Sequence, residues 1–296
     1  MKLTIPRVAA VLMAAATAGA QQVPAHHAGA MNRAAGARPV SNIGLRTDGI
    51  RTVTVTAADY AFAAPDTIPA GLTEIRLLNR GTEMHHVFLI RLDGGKTISD
   101  LFAEMKGDGP LPSWAKEAGG PNTPGPGGDA TAIVRLKAGR YAMICVIPSK
   151  DGKPHVMKGM AKEITVIPAT SNTSAANIRI ASTVTLVDYG FKFSQPLQAG
   201  RQTIRVVNQA AQSHELVLVR LQPGKSPADV LAWMEKMEGP PPGAPIGGVT
   251  PMAQGEENLL ELNLTPGEYG LICFVPDVKD GKAHFVHGMM ATFAVR

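Results

Sequence analysis

Gly139-Arg140-Tyr141-Ala142-Met143-Ile144-Cys145 returns 128 positions later as Gly267-Glu268-Tyr269-Gly270-Leu271-Ile272-Cys273. Each stretch alternates toward an apolar strand and ends on one of the two cysteines of the chain. A self-similarity of this kind sets the architecture before any local motif is read. Working outward, Asp59-Tyr60-Ala61-Phe62 returns as Asp188-Tyr189-Gly190-Phe191, Ala70-Gly71 as Ala199-Gly200, and Asn79 as Asn208, all offset by 129. On the far side, Asp151-Gly152-Lys153, His155, Gly159 and Met160 match Asp280-Gly281-Lys282, His284, Gly288 and Met289, again by 129. The reading is one duplicated domain.

The 296 residues, 45% of them hydrophobic, suit two ordinary cores. We place the first copy at 51–167, a linker at 168–178 and the second copy at 179–296. Lys2 and Arg7, the apolar run Val8 to Ala16 and the small residues Ala18-Gly19-Ala20 predict a cleavable signal peptide over 1–20, hence a periplasmic or secreted protein. Residues 21–50 read as a disordered leader. Gln21, not a cysteine, stands directly after the cleavage site and no later apolar run is long enough to span a bilayer, so no membrane anchor is expected. The formal charge of +5 falls to +3 on loss of Lys2 and Arg7, and the basic residues are scattered, which excludes a nucleic-acid footprint.

Thr52-Val53-Thr54-Val55-Thr56 and Leu260-Glu261-Leu262-Asn263-Leu264 alternate as half-buried strands. Several short strands per copy predict an all-β fold of two tandem sandwiches, each interrupted by one helix. The second helix starts at Ser226 as N-cap with Pro227 in the first turn, and carries Val230, Trp233, Met234 and Met237 on its core face; its counterpart starts near Thr97. The Gly/Pro-rich stretches 107–128 and 239–248 read as irregular loops.

Each copy then holds the same ordered donors: a His on a strand, a Cys at a strand end, a second His after a loop, and a Met five positions on. These are His85, Cys145, His155 and Met160, then His214, Cys273, His284 and Met289. Two imidazoles, a thiolate and a weak thioether are the donor set of a blue-copper electron-transfer centre. The sulfur ligands suit Cu(I) and the imidazoles tolerate Cu(II), so a fixed compromise site changes oxidation state with little rearrangement.

On these residues, and over nearly all of 51–167 and 180–296, the chain resembles the cupredoxins (plastocyanin, azurin, rusticyanin). The Gly-x-Tyr-x-x-x-Cys strands, the His-to-Met spacing and the Asn six positions before the first His are similar to that family. The resemblance implies a Greek-key β-sandwich with copper at one end of each copy. Two departures stand out. Nine residues separate Cys145 from His155 and ten separate Cys273 from His284, longer than is usual there. His86 and Glu215 follow the first ligand in place of a smaller polar residue.

Plainer roles compete. Each Cys could be an inert buried thiol, or the two could pair as a disulfide; the repeated His and Met frame favours ligation. Met160 and Met289 fit an axial ligand and a packing role equally. Met290 and His287 lie beside the second set without counterparts in the first, and Tyr60 and Tyr189 read as packing residues. Multicopper enzymes need further histidines flanking the Cys, whereas Cys145 lies between Ile144 and Val146 and Cys273 between Ile272 and Phe274, so no catalysis is expected. Three functions stay open: a periplasmic one-electron carrier exchanging with redox proteins through an exposed ligand His, a copper buffering or delivery protein, and a metal-free tandem scaffold.

Overall fold

The computed structural model describes residues 43–45, 49–105, 110–169 and 178–296. The predicted signal peptide, most of the leader and most of the linker lie outside the described residues. Ile43–Leu45, within the stretch read as leader, forms a strand, β1, antiparallel to β2 (Arg51–Ala58). The first copy continues through β3 (Ala61–Ala63), β4 (Thr67–Pro69), β5 (Gly71–Asn79), β6 (Phe88–Leu92), helix α1 (Ile98–Glu104), β7 (Ala115–Gly119), β8 (Asp129–Leu136), β9 (Gly139–Ile144) and β10 (Ala161–Ile167). The second copy repeats the plan with β11 (Ile180–Val187), β12 (Gly190–Phe193), β13 (Gly200–Asn208), β14 (His214–Leu221), helix α2 (Pro227–Lys236), β15 (Gly243–Met252), β16 (Glu257–Leu264), β17 (Gly267–Ile272) and β18 (Met290–Val295). The all-β, two-copy, one-helix-per-copy reading is met.

What the repeat did not reveal is that the copies share their sheets. One nine-stranded sheet runs β1-β2-β5-β8-β16-β13-β11-β12, with β3 on β2; the other runs β18-β17-β14-β15-β7-β6-β9-β10-β4. The seams are antiparallel: β8 meets β16 at Val134↔Asn258 and Ile133↔Leu259, and β7 meets β15 at Ala118↔Met252. Alternation along β2 buries Val53, Val55 and Ala57, and β13 buries Ile204 and Val206. These side chains belong to a single buried cluster that runs through both copies and includes Cys145, Met160, Val249, Met252, Cys273 and Met289.

The Gly/Pro-rich stretches are not irregular throughout. The first contains β7 and the second opens β15, the strands of one seam. Pro251 falls within one register shift of β14 against β15 and Pro245 borders the other, the irregular positions at which a sheet tolerates proline. Gly248 and Gly120 allow backbones to approach: a Cβ would lie 1.9 Å from the Leu216 carbonyl oxygen and 2.2 Å from that of Val87, respectively. Local composition argued against strands there, and tertiary pairing decided for them.

Both helices are capped as read. Thr97 and Ser226 each close a capping box, with Asp100 and Asp229. Val230 is buried and Leu231 and Met234 pack beside it, but Met237, expected on the core face, is 61% exposed as the left-handed C-cap.

Candidate metal centres

The long Cys-to-His segments are excursions that close on themselves. In the first copy Ser149 N–H bonds to Lys153 O and Gly152 N–H to Ser149 O, a turn that uses the positive φ of Gly152. The neck is pinched by His155 N–H on Ile147 O, 2.9 Å, and Val156 N–H on Cys145 O, 2.7 Å. His155 therefore re-enters beside Cys145 despite its distance in sequence. The second copy does the same with Asp277, Gly281 and Lys282 in the turn, and with His284 N–H on Val275 O and Phe285 N–H on Cys273 O. The second His of each set opens a short 3-10 turn, His155–Lys158 or His284–His287, ended by a left-handed glycine. The next residue, Met160 or Met289, accepts the Cys N–H on its backbone oxygen at 3.2 Å and is fully buried.

The donors converge. His85, Cys145 and His155 lie within mutual reach, and so do His214, Cys273 and His284, all six buried. His85 sits just ahead of β6 and His214 is the first residue of β14. In the second copy the two Nδ1 atoms are 2.9 Å apart and stand 3.8 Å (His214) and 3.5 Å (His284) from Cys273 Sγ. In the first copy Nδ1 to Nδ1 is 3.1 Å and Cys145 Sγ to His155 Nδ1 is 3.4 Å. An ion bonded to three such donors at about 2.0–2.3 Å needs them about 3.5 Å apart.

The rings are held from behind. His85 Nε2 lies 2.7 Å from Asp59 and His155 Nε2 2.8 Å from Glu83. A carboxylate partner fixes the proton on Nε2 and leaves Nδ1 as a lone pair facing inward. Two Nδ1 atoms at this separation can share a proton, or one cation on the triangle can serve both rings and the sulfur. His214 is held likewise by Asp188 at 2.8 Å, while His284 Nε2 meets Gln212 at 3.4 Å and Asp277 at 3.8 Å. The donor set of two imidazoles and one thiol, with a thioether in the adjoining residue frame, fits copper.

Sequence reasoning missed these outer partners. Burial opposes the charge of Asp59, but the Thr82 backbone and hydroxyl, the His85 ring and the Glu83 backbone donate to it and hold it well below the usual carboxylate range. Burial likewise opposes the charge of Asp277, which Tyr189, Gln212 and the Lys279 backbone outweigh. Tyr60 and Tyr189, read as packing residues, flank the second ligand: their rings lie 4.9 Å from His155 and 5.6 Å from His284, and their hydroxyls reach Glu83 and Asp277. The signal was present in the repeated Asp-Tyr pair. Asn79 and Asn208 clamp the loops before the first ligand, donating to Glu83 O and Gln212 O at 2.8 Å each.

The residues after the first ligand also have a defined task. His86 Nε2 accepts the Val146 N–H and Glu215 Oε1 accepts the Phe274 N–H, both at 3.0 Å, so each ties the first ligand to the residue following the cysteine. Burial lowers the His86 pKa to about 3 and raises that of Glu215 to about 7. Burial pushes the Cys145 thiol up to about 12 and the Cys273 thiol higher still, and holds His155, His214 and His284 below the ordinary imidazole value. Both cysteines are free thiols, and no disulfide joins them. Asp277, Asp280 and His287 form a further, more exposed group beside the second centre.

No protein-family model and no curated relative matches the chain. Among solved structures it is similar to auracyanin B, at 24% identity over 40% of this chain and 92% of that one, TM-score 0.28. Reduced auracyanin from the photosynthetic bacterium Roseiflexus castenholzii gives 24% identity over 42% and 100%, TM-score 0.28. Copper nitrite reductase from Nitrosomonas europaea gives 13% identity over 83% and 93%, TM-score 0.25. Scores of this size assign no activity. Each copy nevertheless has the two-sheet sandwich and the His, Cys, His frame at one end that the cupredoxin resemblance implies.

Proposed function

We propose that the protein is a non-catalytic, periplasmic one-electron carrier with one copper ion held in each copy by His85, Cys145 and His155 and by His214, Cys273 and His284. Met160 and Met289 are proposed as the weak axial donors. The observation that carries this reading is the carboxylate-backed imidazole: Asp59, Glu83 and Asp188 aim three Nδ1 lone pairs inward at two buried thiols. Copper bound there supplies a one-electron Cu(II)/Cu(I) couple.

The chain's own residues do the rest. The pinched necks and the Val146 and Phe274 amide bonds fix the ligand segments, which limits rearrangement between oxidation states. Complete burial of all four ligand rings favours retaining the ion over handing it on. It also corrects one expectation, since no ligand His exposes an edge to partners. Contact with redox proteins is instead proposed at the surface near Asp59, Tyr60 and Glu83, and near Asp188 and Tyr189, which stand outside the rings. The N-terminal sequence supports export, and among the described residues no helix is long and apolar enough to cross a membrane. Val146 and Phe274 beside the cysteines support the absence of a second, catalytic copper class.

The test is the visible spectrum of residues 21–296 titrated with Cu(II). An intense thiolate-to-copper band supports the carrier; tight Cu(I) binding without colour turns the reading to copper handling, and no binding leaves a scaffold.

A further inference from the structure

Asn122 lies in the seam between the copies, after β7, and is 1% exposed. Its amide nitrogen donates to Glu215 Oε2 at 2.9 Å and to Val249 O at 3.0 Å. Its oxygen accepts from the Thr123 N–H and hydroxyl, and His86 lies close enough for the same side chain to act on its ring. His86 accepts the N–H of the residue following Cys145, and Glu215 accepts the N–H of the residue following Cys273. A path therefore runs from Cys145 through Val146, His86, Asn122, Glu215 and Phe274 to Cys273, with three hydrogen bonds and, as its remaining link, the approach of His86 to Asn122. Glu215 makes a second link, its own N–H lying 3.5 Å from Cys273 Sγ.

The geometry points to the two centres being a coupled pair, with His86, Asn122 and Glu215 as positioning residues that make occupancy at one centre felt at the other. This rests on the reading of both His-Cys-His groups as copper sites. A metal on Cys145 fixes the Cys145-Val146 segment and thereby His86. His86 and Glu215 engage opposite ends of a single buried amide, so one orientation of Asn122 serves both, and hydrogen bonds in such a chain polarise one another. The ordering of Asn122 is required once for the pair, so the second ion binds to a bridge already set, which makes the coupling positive and by linkage reciprocal. Among the described residues, the side-chain bonds of Thr250 to Val87 O and of Asn258 to Ala118 O and the Gly120 N–H also cross the seam, but they do not touch a donor residue or the residue after a cysteine.

The test uses the full chain carrying Cys273→Ala, so that Cu(I), added without oxygen to one equivalent, fills the first centre alone. The amide resonance of Phe274, in the empty copy, is expected to move as the first centre fills. It is expected to stay still when Asn122→Ala is added, and also with Glu215→Gln, which keeps an oxygen for Phe274 N–H and turns an amide nitrogen toward Asn122. In the wild-type chain the second Cu(I) is expected to bind about fivefold or more tightly than the first after statistical correction, and the Glu215→Gln chain to bind two ions independently. A filled first centre with an unmoved Phe274 and equal affinities overturns the coupling alone. Failure of the first centre to take Cu(I) overturns the copper reading and the coupling with it.

Discussion

The two centres share a donor triangle and differ in what stands behind it. In the first copy the second imidazole, His155, is backed by Glu83 at 2.8 Å, and residue 149 in the turn is Ser. In the second, Gln212 takes the place of Glu83, and the carboxylate is supplied from the turn by Asp277, 3.8 Å from His284 and bonded to Gln212 and Tyr189. The ion pair Lys158–Asp151 of the first copy becomes His287–Asp280 in the second. The fold thus keeps a negative charge beside the outer nitrogen of the ring while letting it come from either of two positions. Tight direct backing fixes the first ring more firmly than the relayed backing fixes the second.

The most severe way to break the comparison is to remove one thiol. Cys145→Ala and Cys273→Ala are each expected to abolish the thiolate-to-copper band of their own copy, leaving about half the absorbance, with none in the double variant. Unequal halves would mean that the weaker backing in the second copy changes the centre itself.

Next in size is pH. Without metal the thiols are protonated, Cys145 with a pKa of about 12, and the bound form is the thiolate, so each ion displaces one proton. Copper affinity at both centres is expected to rise about tenfold per pH unit across the neutral range. Burial holds both His214 and His284 below the ordinary imidazole value, so no extra proton enters at the second centre across the neutral range and its slope should steepen only in acid. Competition titrations at several pH values check both statements.

A smaller effect exchanges the backing. Glu83→Gln gives the first copy the residue of the second without its Asp277, and should weaken copper there by about tenfold. The reciprocal Gln212→Glu should leave affinity at the second centre within a few-fold, since Asp277 already supplies charge; a large gain there would show that Asp277 is too far to serve.

The smallest concerns the helices. Thr97→Ala and Ser226→Ala each remove a capping-box hydroxyl and should cost about 1 kcal/mol of stability, equal in the two copies, without altering metal affinity. Denaturant melts read the first and chelator competition the second.

The sequence made the duplication, the strands and the six converging donors legible because each repeats in register and each residue type has a narrow chemical use. The outer residues were not legible for physical reasons. An Asp in a turn such as Asp59 looks the same whether it faces water or an imidazole, and Tyr60 looks the same whether it packs or flanks a ligand. The loop departure was visible, but its resolution depends on the backbone bonds at Ile147 and Cys145, which leave no trace in residue type. The strand β15 was hidden because its glycines and prolines oppose a strand locally and are required by close backbone approach and by register shifts.

The shared sheets have a consequence for how such a chain can change over generations. A lone ancestral copy must have kept its own sheet margins covered, whereas here the margins formed by β7 and β8 are paired by β15 and β16 of the neighbour. Deleting either copy now would bare two rows of unpaired backbone groups and invite clumping with other chains. The duplication therefore works as a ratchet: either donor set is free to drift, whereas losing either body exposes the seam strands of the other.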